Sequence, residues 1–192
     1  PYVIVNCAAY TDVDRCETNE ELALRVNGKG PGYLAEAALD TGATLVHIST
    51  DYVFTGDKTE PYSEDDPTGP LSSYGQSKLE GEKAIMASGL SRYFIIRTSW
   101  LYGPGGKNFV ETILRLAGER EELRIVADQH GSPTYTEDLA NAISSLLEIE
   151  DAQRPYGIYH VSNSGSCSWY EFAVEIVRLA RLNKLQVKVE RI

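Results

Sequence analysis

Short apolar runs alternate with longer stretches of helical spacing along almost the whole chain, and this alternation limits the folds open to it. Val3–Asn6, Thr44–Ser49, Tyr93–Thr98 and Ile158–Val161 read as strands, with Leu123–Val126 and Val187–Val189 as shorter extended pieces. Glu20–Leu39, Ser73–Ser88, Asn108–Ala117, Thr136–Leu147 and Trp169–Leu182 have helical spacing. Pro31 should kink or split the first of these helices, because it lacks a backbone N–H and crowds the preceding turn. Ser168 with Glu171 three residues on reads as a capping box. Tyr10–Thr18, Thr55–Leu71 and Asp128–Thr134 read as loops. Strands alternating with helices imply an α/β fold built on a parallel sheet. Ligands of such sheets sit beyond the C-terminal strand ends, which here carry Ala8-Ala9, Ser49-Thr50-Asp51 and Ser99-Trp100.

With 192 residues, 42% of them hydrophobic, the chain can bury one sizeable core. The formal net charge of -10 argues against binding a nucleic-acid backbone. An anionic ligand would need local help from Lys, Arg or a helix N-terminus. No apolar run approaches the roughly 20 residues of a membrane helix, so no membrane partner is expected. Cys7, Cys16 and Cys167 lack metal-ligand spacing and read as reduced thiols of a cytoplasmic protein. His47, His130 and His160 also lack that spacing, and His47 reads as strand packing; no metal-ligating residues are read. Pro1 is followed at once by the apolar Tyr2-Val3-Ile4-Val5, so the chain is expected to be part of a longer protein. The first glycine is Gly28, inside a helical stretch, and no G-x-G-x-x-G occurs. The usual pyrophosphate cradle is therefore expected outside this chain.

Tyr74-Gly75-Gln76-Ser77-Lys78 carries the chemistry. Residues i and i+4 share a helix face, so the Tyr74 phenol and the Lys78 ammonium can point into one cleft. A phenol titrates near pH 10, and about 4 kcal/mol of preference for the phenolate would bring it to about 7. One positive charge about 4 Å away supplies that much at an effective dielectric near 20. Desolvation opposes it. A hydroxyl from Thr50 would add to the lysine's effect. The alternative is a pair of surface residues on an ordinary helix. Pro70 and Ser72-Ser73 look like that helix's start, and Gly81 would allow it to pack closely. Arg97 reads as a structural ion-pair partner.

Asn6-Cys7-Ala8-Ala9-Tyr10-Thr11, Ser49-Thr50-Asp51-Tyr52-Val53-Phe54, Tyr74-Gly75-Gln76-Ser77-Lys78 and Arg97-Thr98-Ser99-Trp100-Leu101-Tyr102-Gly103 together resemble the dTDP-4-dehydrorhamnose reductase family of the extended short-chain dehydrogenase/reductases. Asn108-Phe109-Val110, Asp128–Thr134 and Ser168-Trp169-Tyr170-Glu171-Phe172 extend the likeness over nearly the whole chain. The resemblance implies a Rossmann-like parallel sheet flanked by helices, with a small substrate-binding lid. Residues 1–100 and 136–162 would be the remainder of the dinucleotide-binding domain, and 101–135 and 163–192 the substrate-binding portion. It implies reduction of a 4-keto sugar nucleotide with NADPH or NADH. Thr50, Tyr74 and Lys78 would be catalytic. Ala8, Ala9, Tyr10 and Thr11, with Tyr74 and Lys78, would hold the cofactor. Thr50, Asp51 and Trp100 would meet the substrate, and Asn27 would support the lysine. Cys7 and Gly28 depart from the family's usual alanines, and the family's closing segment is expected beyond Ile192. A sugar-nucleotide epimerase or dehydratase, and a non-catalytic regulatory subunit of the same fold, stay open as alternatives, as does a homodimer.

Overall fold

A computed structural model of the protein describes residues 2–180 and 188–191. In chain order the elements are β1 (Val3–Asn6), α1 (Val13–Thr18), α2 (Glu20–Ala23), a π-helical segment Leu24–Lys29, α3 (Gly30–Thr41), β2 (Thr44–Thr50), a 3-10 turn Asp51–Val53, α4 (Ser73–Ala87) and β3 (Tyr93–Thr98). Then come β4 (Leu101–Tyr102), α5 (Phe109–Glu119), β5 (Glu122–Ile125), β6 (His130–Gly131), β7 (Thr134–Tyr135) and α6 (Thr136–Glu148). A 3-10 turn at Asp151–Gln153, β8 (Gly157–His160), β9 (Cys167–Ser168), α7 (Trp169–Leu179) and β10 (Lys188–Arg191) complete the described elements.

Contacts divide these into two units. One comprises the residues up to Thr98 with Glu150–His160, the other Ser99–Ile149 with the residues from Val161 on. Helix α6 falls in the second unit, whereas the sequence reading grouped 136–162 with the first.

The first unit is a parallel sheet ordered β1-β2-β3-β8. Its central strands β2 and β3 are buried almost throughout, whereas β1 and β8 at the edges are only half-buried. Ala35 and Ala38 of α3 and Ile85 of α4 pack with Leu45 and Ile95 of the sheet, all fully buried. In the second unit β5 pairs parallel with β10, β4 parallel with β7, and β6 antiparallel with β9. Ile113 and Ala117 of α5, Leu123 of β5, and Ala173 and Ile176 of α7 form its core. The capping box at Ser168 and Glu171 is present with both of its hydrogen bonds.

The long helix expected over Glu20–Leu39 is divided before the proline. Pro31 lies in the first turn of α3, where a missing N–H costs little, and the preceding turn takes the wider π form. The Tyr10–Thr18 loop contains α1, whose cap Asp12 accepts from the Arg15 N–H at 3.1 Å. The Asp128–Thr134 loop contains β6 and the start of β7. These are segments of six and two residues, too short to show periodicity. Leu182 and Val187 lie outside the described residues.

Between α4 and the sheet lies a buried ion pair. The Glu82 carboxylate, fully buried, accepts from Arg97 Nη2 at 2.8 Å and Nε at 3.1 Å, and from the Ser49 hydroxyl at 2.5 Å. The Arg97 guanidinium also lies 5.1 Å from the Phe54 ring. The structural role read for Arg97 agrees with this placement. Removing the arginine would leave the carboxylate uncompensated. Arg97→Met is expected to lose about 3–5 kcal/mol in chemical denaturation. A loss below about 1 kcal/mol would show that the pair does not hold α4 to β2 and β3.

Candidate active site

Helix α4 carries both chemistry-bearing side chains, and two missing side chains set its position. A Cβ at Gly75 would collide with the Tyr52 carbonyl, and one at Gly81 with the Asn27 carbonyl. Both contacts are backbone, so neither can give way cheaply. The helix starts where the sequence placed it, at Ser72, whose hydroxyl accepts from the Gly75 N–H at 3.1 Å.

Asn27 secures a third contact. Fully buried on the π-helical segment, it accepts from the Tyr10 N–H at 2.7 Å and donates to the Tyr10 carbonyl at 2.9 Å. It also donates to the Ser77 hydroxyl at 3.0 Å. The loop after β1 is thereby tied to the residue preceding Lys78. Asn27 acts here as a clamp, and the π turn is the irregularity that presents it.

Tyr74 is half-buried, its ring edge-on to Tyr52 at 5.6 Å. Burial pushes its phenol up to about 12. The Thr50 hydroxyl pulls the other way, and Asp51 pushes further up. Thr50 itself ends β2, donates to Asp51 Oδ1 at 3.0 Å and accepts from the Tyr52 N–H at 3.2 Å. Asp51 is exposed, yet protein crowds it closely enough that desolvation raises its carboxyl, offset partly by Thr50. Thr50, Asp51 and Tyr74 are thus brought together at the end of β2.

Lys78 shares helix α4 with Tyr74, as its spacing implied, and lies deep. It is 2% exposed, and its Nζ donates to the Ile48 carbonyl at 2.6 Å and lies 3.4 Å from His47 Nε2. Burial lowers it to about 8, against the opposing pull of Glu82. The Lys78 nitrogen is engaged with the β2 backbone, and desolvation is the largest cause of both shifts, the phenol's upward and the amine's downward. His47, read as strand packing, is fully buried and held by this lysine and Asn6.

Cys7 and Ala8 are exposed after β1 and Ala9 is half-buried, a small-residue shelf ending at Tyr10 and Thr11. Thr98, the register partner of Thr50, has a buried hydroxyl with no hydrogen-bond partner. In the second unit Trp100 adopts a left-handed φ of 48° and stacks on Trp169 at 3.4 Å between ring centroids. Trp169 is the partner that sequence reasoning missed, since its helical spacing made it look like one more apolar position. Among the described residues no cluster of His, Cys, Asp and Glu could hold a metal ion.

A parallel Rossmann-like sheet flanked by helices, with a hydroxyl, a carboxyl and a phenol gathered at one strand end, defines the class of α/β protein. More narrowly, the chain belongs to the family described as RmlD substrate binding domain, which matches residues 1–191. It is 54% identical over 177 residues to the spore coat polysaccharide biosynthesis protein SpsK of Bacillus subtilis (strain 168), covering 92% of this chain and 60% of that protein. It is 45% identical over 189 residues to a dTDP-4-dehydrorhamnose reductase of Streptomyces griseus, covering 98% of this chain and 62% of that one. A solved dTDP-4-dehydrorhamnose reductase from Bacillus anthracis str. Ames, in complex with NADP, matches with a TM-score of 0.93 at 48% identity, over 100% of this chain and 66% of that one. The chain spans less than two thirds of the length of these relatives.

The depressed lysine has a signed consequence. Its folded value of about 8 lies below its ordinary 10.5, so between these the unfolded chain binds a proton that the folded one does not. Stability from this group rises with pH across that window, and its penalty is complete below pH 8. The stability difference between wild type and Lys78→Met, measured by urea denaturation, should rise by about 1.4 kcal/mol per pH unit through the window. A flat difference would show that burial does not depress the lysine.

Proposed function

We propose that this chain supplies the acid-base machinery and the sugar-nucleotide portion of an NAD(P)H-dependent reductase. The reaction is conversion of dTDP-4-dehydro-L-rhamnose to dTDP-L-rhamnose. Carrying this reading is the gathering of Thr50 and Tyr74 at the end of β2, one helical turn from Lys78. The relatives named as reductases, and the solved one in complex with NADP, support it.

Reduction of a ketone requires a hydride at carbon and a proton at oxygen. When bound, the reduced nicotinamide supplies the hydride. Tyr74 supplies the proton: with its phenol pushed up to about 12, it stays protonated throughout the neutral range. The C–H and O–H bonds form as the carbonyl π bond and the phenol O–H break, and the phenolate regains its proton from water. The Thr50 hydroxyl steadies that phenolate by turning its one O–H from Asp51 toward it. Lys78 contributes a positive charge below about pH 8, which favours the phenolate left behind and suits it to hold ribose hydroxyls. Ala8, Ala9, Tyr10 and Thr11 line the nucleotide, with small residues at the first two positions so that the backbone can be approached. In the first unit Asp51, and in the second Trp100, are the residues offered to the sugar nucleotide. The first unit is the remainder of the dinucleotide-binding portion and the second the substrate-binding portion. No described helix is long and apolar enough to cross a membrane. A cytoplasmic location and a homodimer accompany this reading.

The raised carboxyl of Asp51 favours a second reading, a sugar-nucleotide dehydratase in which that acid helps expel water. Cofactor balance separates them: a reductase consumes NADPH in step with product, whereas a dehydratase uses and regenerates the oxidised cofactor and leaves NADPH unconsumed.

Full-length protein given NADPH and dTDP-4-dehydro-L-rhamnose should lose nicotinamide absorbance stoichiometrically. Tyr74→Phe should lower turnover at least about 100-fold. Turnover should fall as pH rises through about 8, where Lys78 loses its charge. Near-normal turnover in the phenylalanine variant removes Tyr74 as proton donor, and a rate sustained to pH 10 removes the cationic role of Lys78.

A further inference from the structure

Four polar groups run in single file from the loop after β1 to the lysine, and their donor count fixes where the protons are. The Ala8 backbone N–H lies 3.1 Å from the Asn6 side chain. A backbone N–H can only donate, so the Asn6 oxygen faces it and the amide nitrogen faces away. That nitrogen lies 3.0 Å from His47 Nδ1. An amide nitrogen also only donates, so Nδ1 must accept, and the single proton of the neutral ring sits on Nε2. Nε2 points at Lys78 Nζ, 3.4 Å away, while Nζ donates to the Ile48 carbonyl at 2.6 Å. An ammonium has no lone pair, so it would meet the Nε2–H donor against donor. An amine can accept that proton and still donate to Ile48. All three side chains are buried, at 6%, 0% and 2% exposure for Asn6, His47 and Lys78, so bulk water cannot relieve the mismatch.

We propose that Asn6 and His47 are positioning residues for Lys78: Asn6 locks His47 in its Nε2–H tautomer, and that tautomer holds the lysine nitrogen and favours its uncharged form. The lysine's proton is thereby coupled to the orientation of the Asn6 amide and, through it, to the Ala8 backbone. Burial acts in the same direction, lowering His47 to about 3 and Lys78 to about 8. Glu82 on the same helix and Cys7 after β1 oppose it by favouring the cation. Asp51 lies toward Tyr74 and acts on the phenol. What this relay does to turnover rests on the reductase reading, but the tautomer does not.

Nitrogen-15 NMR of the His47 ring in full-length protein distinguishes the two nitrogens directly. At pH 7 and at pH 9 the proton is expected on Nε2, with Nδ1 unprotonated. A proton on Nδ1 at either pH overturns the proposal, whatever the protein does with NADPH. Asn6→Asp replaces the donating nitrogen by an accepting oxygen. The ring proton should then move to Nδ1, Nε2 should accept from the ammonium, and the Lys78 titration, followed by carbon-13 NMR of its side chain, should rise by about one pH unit or more. If the tautomer in this variant stays Nε2–H, or the lysine midpoint does not move, the relay does not exist. Should the variant fail to fold, the wild-type tautomer alone decides.

Discussion

Everything at this site depends on how closely one helix can approach two stretches of backbone. Helix α4 rests against the Tyr52 carbonyl at Gly75 and against the Asn27 carbonyl at Gly81. Neither position has room for a methyl group. That contact puts Tyr74 beside the end of β2 and drives Lys78 under the sheet, where its stem is buried and its nitrogen meets the Ile48 carbonyl. It also lets Asn27 reach both Tyr10 and Ser77, so the loop after β1 and the helix are held by one side chain. A helix standing an ångström farther off would lose the clamp and leave the phenol without its threonine.

Close docking also dries the interface, and drying decides the charges. A cation 4 Å from a phenol offers about 4 kcal/mol at moderate dielectric, but removal from water acts on both groups at once and against both charged forms. Here the solvent term wins: the phenol goes up and the amine goes down. One charge pair survives in the same interface, Glu82 with Arg97, because the guanidinium offers two donors to one carboxylate and Ser49 adds a third. His47, lacking an anion, stays neutral. The helix thus presents a protonated phenol and a weakened cation from the same face.

Much of this was legible in the sequence where periodicity extends over several turns or a whole strand. The strands of the parallel sheet and helices α4 to α7 are such elements, and so is the Ser168 capping box. The i, i+4 spacing placed Tyr74 and Lys78 on one helix, and Gly81 signalled close packing. Short elements were not legible: α1 rests on one Asp12 cap, and β6 and β9 are pairs of two residues. Long-range polar partners were not legible either. Nothing in the local pattern links Asn6 to His47, Glu82 to Arg97, or Asn27 to Tyr10, because each pair is brought together by the sheet or by helix docking rather than by spacing. The direction of the phenol's shift was missed for the same reason, since burial is a property of the packed state.

Titration of the two side chains on α4 tests the account most directly. Site-resolved NMR of lysine- and tyrosine-labelled full-length protein should show the Lys78 amine losing its proton near pH 8 and the Tyr74 phenol keeping its proton until about 12. A lysine titrating at its ordinary value near 10.4, together with a phenol that ionises below pH 10, would contradict the claim that desolvation governs this site.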